Sequence, residues 1–154
     1  SRLRMSLIKE QLFTQCLAFI DDRLITIKNT MQEIQESLLS ETKSSAGDKH
    51  ETGRAMLQLE REKAGNQLAE VLKIKESLSK INTQNASKTI HLGSVVYTTQ
   101  ANYYIAISAG IITINGTDFY AISPITPIGK LLLSKTADDI ITFRTATFTI
   151  TNVI

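Results

Sequence analysis

The chain has 154 residues, 42% of them hydrophobic and 21% charged, with a formal net charge of +2. That balance excludes a disordered tail and leaves room for one or two small domains, while so small a charge excludes a global field that would draw the chain onto nucleic acid indiscriminately. The single cysteine, Cys16, excludes a disulfide framework and a Cys/His zinc cluster, and neither a membrane-spanning run nor a signal-peptide pattern is legible, so the expected setting is a reducing cytoplasm.

The first element is a long helix. Phe13, Leu17, Ile20, Leu24, Ile27, Met31, Ile34 and Leu38 follow one another in steps of four and three, a heptad seam. No proline interrupts residues 5–42, and a helix of that span is roughly 55 Å long. A second run continues through Met56, Leu59, Ala64, Leu68, Val71, Ile74, Leu78 and Ile81, with a weaker register near Lys63 and Gly65. Two seams of similar length joined by a short polar stretch satisfy their stripes most simply by folding back on each other. The expectation is an antiparallel coiled-coil hairpin over residues 6–81 with its tip at 40–53; two helices of a globular bundle are the alternative.

Within the tip, Ser44, Ser45, Ala46 and Gly47 carry turn chemistry, and Asp48 is followed three residues later by Glu51. An acid pair at a helix start admits two readings. The residues cap the second helix and complement its dipole, or they present two hard oxygen ligands on one helix face, as residues at i and i+3 do. His50 stands between them and is assigned no role.

Helical periodicity stops at residues 82–92, a polar stretch expected to link two domains. Beyond it, over 93–154, the period becomes two: Tyr103, Ile105 and Ile107, then Ile112 and Ile114, then Phe119 and Ala121, then Ile141 and Phe143, then Phe148 and Ile150. Asn115-Gly116 is a two-residue hairpin signal, and with a turn at Ala109-Gly110 the middle strands are expected to form an antiparallel meander. One short helix interrupts them, with Thr126 as N-cap, Pro127 at the first position and Ile128, Leu131 and Leu132 facing the sheet. The fold class is α+β.

These parts in this order resemble the bacterial Gre transcript-cleavage factors. Gly47-Asp48-Lys49-His50-Glu51 is similar to the family's Gly-Asp-Leu-x-Glu-Asn tip motif, and Ile122 to Lys130 followed by Leu133 to Ile141 is similar to its segment of Ser-Pro-Ile/Leu, short helix, Gly-Lys and Gly-Asp. The stretch from Glu41 to Met56 also resembles a Gre-like subgroup from Bacteroidetes. Lys49 stands where the family has an apolar residue, Thr52 where it has Asn, and Gly53-Arg54-Ala55 where it continues Ala-Glu-Tyr.

The resemblance implies an FKBP-like C-terminal domain and RNA polymerase as the partner, with the hairpin entering the polymerase's secondary channel. It implies an accessory factor rather than an enzyme: Asp48 and Glu51, acting only with the polymerase, would share a Mg²⁺ in a two-metal site that activates water against the RNA phosphodiester. No cofactor is expected on the chain alone. Lys43, Lys49, Arg54 and Arg61, with Lys63, are the candidates for meeting channel walls or, indirectly, nascent RNA; a solvated charged face is their other reading, and neither DNA nor a membrane is an expected partner. Two alternatives to cleavage stimulation remain: a channel-binding regulator of transcription without cleavage, and a coiled-coil adaptor for another protein. Isomerase activity is not expected, since the C-terminal half has no Trp and no loop cluster of aromatics.

Overall fold

The structure, a computed structural model, describes residues 1–42 and 47–154, with side chains described outside residues 42–50. It is α+β. Two long helices, α1 (Arg2–Thr42) and α2 (Gly47–Ser79), precede strands β1 (Val95–Thr98), β2 (Tyr103–Ile105), β3 (Gly110–Ile114) and β4 (Thr117–Ile122), a short helix α3 (Pro127–Leu132), and strands β5 (Ile140–Phe143) and β6 (Ala146–Val153). The chain divides into two compact units, one of residues Ser1–Phe19 with Glu76–Ile154 and one of Ile20–Lys75.

The Ile20–Lys75 unit is a helix pair. On α1 the buried positions are Ile20, Leu24, Ile27, Ile34 and Leu38, with Met31 half-buried, the expected heptad. On α2 the inward positions are Leu57, Ala64 and Val71, seven residues apart; Ile34, Leu38 and Ala64 form a buried cluster against which Met31 and Leu57 pack. Met56 and Leu59, expected to open the second seam, are 59% and 67% exposed. Leu57 takes the inward position because it alone of the three lies a whole heptad before Ala64. Arg54 reaches Leu38 at one end of the pair and Lys75 reaches Asp21 at the other, so position along α2 falls as position along α1 rises. The Lys75–Asp21 ion pair, 2.7 Å long with both side chains 42% exposed, sets register more than stability, being worth about 0–1 kcal/mol.

The other unit is built on a six-stranded sheet in the order β3-β4-β2-β1-β6-β5. The expected antiparallel meander is corrected here. β3 and β4 do form a hairpin through Asn115 and Gly116, both at positive φ (51° and 80°) as a mirror-image turn requires. But β4 lies between β3 and β2 and runs parallel to β2, with Tyr103 opposite Tyr120 and Ile105 opposite Ile122. A parallel pair needs a crossover, and residues 106–109 with β3 supply it. The sheet is therefore mixed rather than antiparallel.

The period-two reading also fails at the centre, where Tyr104, Ile105, Ala106 and Ile107 are all buried, as are Val95 and Val96 in the neighbouring strand. Central strands are covered on both faces, so no polar alternation survives in them. Ile105 and Val96 join Ile90, Leu132, Ile141, Phe148, Ile150 and Val153 in one core, with Ile128 packed against it. Tyr104, one residue away and so on the opposite face, meets α1: burial raises its pKa first, and the nearby Cys16 thiol raises it further. Here α1 buries Leu12 and Cys16 completely, while Phe13 and Leu17, the expected seam, are half-buried. The seam is displaced by one position because this stretch of helix packs on more than its partner helix. Burial pushes the Cys16 thiol up to about 12, which keeps it protonated and inert at neutral pH.

Among the described residues, Tyr104 Oη is a buried polar atom with no hydrogen-bond partner. Desolvating a hydroxyl without a bond costs about 1–3 kcal/mol. Tyr104→Phe is therefore expected to leave stability unchanged or raise it by about 1 kcal/mol, and urea unfolding will show it; a loss of 2 kcal/mol or more, in place of the gain of about 1, would mean that the hydroxyl is bonded.

Residues 82–92, expected as a linker, are tied into this unit. Ile90 is 2% exposed in the sheet core; its N–H donates to Lys135 O and its carbonyl accepts from Ser134 N, at 2.9 and 2.8 Å. Helix α3 begins as expected: Pro127 is first, and Thr126 Oγ1 accepts from Gly129 N. Leu132 is buried and Ile128 packs on the core, but Leu131, expected to face the sheet, is 39% exposed. A helix this short presents one narrow face, and residues 128 and 132, four apart, occupy it.

Candidate functional site

The candidate site is the junction of α1 and α2. Helix α1 runs without a proline to Thr42 and α2 starts at Gly47, so the expected tip residues stand where the two helices meet in sequence. Lys43 lies outside the described residues. Asp48, Lys49 and His50 belong to the first turn of α2 by backbone, and their side chains lie outside the described ones. The helix places positions 48 and 51 one turn apart along the same face, with Asp48 second in the helix rather than at the residue before it.

Glu51 is exposed, so its carboxylate is open to an incoming cation or protein. Arg54 is half-buried and donates from Nη1 to Leu38 O at 3.2 Å. This carbonyl belongs to the last turns of α1, where a cation complements the helix dipole. The guanidinium therefore joins the two helices behind the tip. Arg61 and Lys63 are exposed on α2, about two to two and a half turns beyond Arg54. The structure thus brings Glu51 and Arg54 to the start of α2 and leaves Arg61 and Lys63 further along the same helix.

One acid escaped the sequence reading. Glu41 lies at the end of α1 with Oε1 3.5 Å from the point where a Cβ on Gly53 would stand. A third carboxylate thus faces the start of α2 from the other helix. No spacing in the sequence marks Glu41 and Gly53 as neighbours; only the folded pairing shows that the two positions meet.

Among the described residues, no three His, Cys, Asp or Glu side chains gather at metal-binding spacing. Two carboxylates on one turn make a partial shell for a hard cation, which takes six or more oxygens. None of the helices, among the described residues, is long and apolar enough to cross a membrane.

No protein-family model and no curated protein matches the chain.

Proposed function

We propose that the chain is a Gre-like transcription elongation factor that binds RNA polymerase, inserts an antiparallel coiled-coil hairpin into the secondary channel and stimulates the polymerase's own cleavage of backtracked RNA. The observation that supports this reading is the convergence of two long helices on Gly47-Asp48-Lys49-His50-Glu51, followed by a sheet unit with a single short Pro-initiated helix. That order of parts is the one the resemblance implies, with the sheet unit as an FKBP-like domain.

In this reading Asp48 and Glu51 would hold a Mg²⁺ shared with the polymerase, which would supply activation of a water for hydrolysis of the RNA phosphodiester. Arg54, tied to Leu38 O, keeps the two helices together behind the acids; Lys43, Lys49 and Arg61 meet the channel or the RNA by charge. The chain contributes position and carboxylates, and the polymerase contributes the rest of the active site.

The test is a stalled elongation complex with backtracked RNA, made with a bacterial core polymerase and supplied with the 154-residue chain. The expected result is co-elution with the polymerase and faster release of short 3′ RNA fragments in Mg²⁺. Failure to bind the polymerase at all would sink the proposal. Binding without faster cleavage would establish the second reading, a channel-binding regulator, for which the departures at Lys49, Thr52 and Gly53 from the family's tip pattern speak.

A further inference from the structure

A cavity of about 260 Å³ lies between the first turns of α1 and the segment that follows α2, both within the unit that carries the sheet, and Arg2, Ser6, Lys9, Gln84 and Asn85 are among its lining residues. Lys9 is 3% exposed and donates from Nζ to Asn85 O at 2.7 Å. An ammonium carries three N–H donors, so one neutral carbonyl leaves it short of partners.

A buried charge is costly unless it is paired. Among the described residues Lys9 has no carboxylate partner, and burial pulls its pKa down. The acid one residue on, Glu10, turns to Gln84 instead, whose Nε2 donates to Oε1 at 2.7 Å, while Ser6 Oγ donates to Gln84 Oε1 at 3.0 Å. Among the described residues, the other charged group in the lining is again a cation, Arg2. Among the described residues the lining thus carries two positive groups and no negative one, the Glu10 carboxylate standing behind Gln84.

We propose that this cavity is a binding site for a small oxyanion of phosphate or carboxylate type, with Lys9 and Arg2 as its charged ligands. The anion supplies the countercharge that the fold withholds from Lys9, and binding also locks residues 84–86 onto α1. The proposal is independent of the transcriptional reading.

The experiment titrates inorganic phosphate, and separately acetate, into the full chain at constant ionic strength set by chloride, reading thermal melting and the Lys9 Nζ resonance by NMR. The expected result is a saturable shift of that resonance and a melting temperature that rises above the chloride control. Phosphate acting alone, acetate acting alone, or both acting would each support the site and name its preferred anion. Lys9→Met, read by melting alone, should abolish the anion-dependent rise, and Arg2→Gln, at an exposed position, should weaken the affinity several-fold. If both anions behave as chloride does, or if Arg2→Gln and Lys9→Met both respond as wild type, the proposal is overturned. Should Lys9→Met fail to fold, unchanged affinity in Arg2→Gln overturns it by itself.

Discussion

Asp48→Asn combined with Glu51→Gln is expected to remove stimulated RNA cleavage while leaving polymerase binding and melting temperature close to wild type. The amides keep the size of the carboxylic acids and most of their hydrogen-bonding capacity, but they remove the two charges that a hard cation selects. A drop of at least about tenfold in cleavage rate, equal to about 1.4 kcal/mol of barrier, is the expected size of the effect. The competing role for these acids is to stabilise the start of α2, where a favourable charge at a helix N-terminus contributes about 0.3–1 kcal/mol. The two roles separate cleanly. Lower helicity and a lower melting temperature, with cleavage unaffected, would assign the acids to the helix and remove the basis of the metal-assisted reading. Glu41→Gln is the internal comparison, since it removes charge from the same junction without touching the first turn of α2.

Gly129→Ala is expected to destabilise the sheet unit by about 1–3 kcal/mol, the usual penalty for forcing an atom into packed surroundings. A Cβ built on Gly129 meets Ser123 O at less than any normal contact and stands 2.9 Å from Thr126 Oγ1. Ser123 O cannot simply retreat, because it accepts from Thr126 N at 3.1 Å and from Thr126 Oγ1 at 2.7 Å. Those bonds hold the entry to α3, and α3 delivers Leu132 to the core. The matched control is Gly65→Ala in the middle of α2, where nothing lies within 4 Å of the new Cβ; there the gain in helix propensity should stabilise by about 0.5–1 kcal/mol. Urea unfolding of the two variants beside wild type checks both signs. Equal stability of Gly129→Ala and wild type would show that the 123–126 turn yields freely, against the bonding seen around Ser123 O.

Much of the local structure was legible in the residues. The heptad from Ile20 to Leu38, the Asn115-Gly116 turn and the Thr126-Pro127 start of α3 all appear where the pattern placed them. The misreadings share a cause. Met56 and Leu59 are as apolar as Leu57, and Leu131 as apolar as Leu132, so composition cannot say which of adjacent residues turns inward when the helix register is set by a distant partner. The candidate site was legible as a motif in the chain, Gly47 to Glu51, while the approach of Glu41 to Gly53 and of Arg54 to Leu38 O was not.

By itself the sequence determined the kinds of element and their order: two heptad helices, a run of short strands and one capped helix, because caps, turns and periodicity depend on residues within one or two turns of each other. Only the tertiary structure decided that β4 lies parallel beside β2, that Leu12 and Cys16 displace Phe13 and Leu17 from the buried face of α1, and that Lys9 is buried without gaining a carboxylate among the described residues. Each of these is settled by partners far away in the chain. Tyr104 belongs on the face that α1 covers, Asn85 O lies beside Lys9 across more than seventy residues, and no spacing within a single segment encodes which distant surface will arrive.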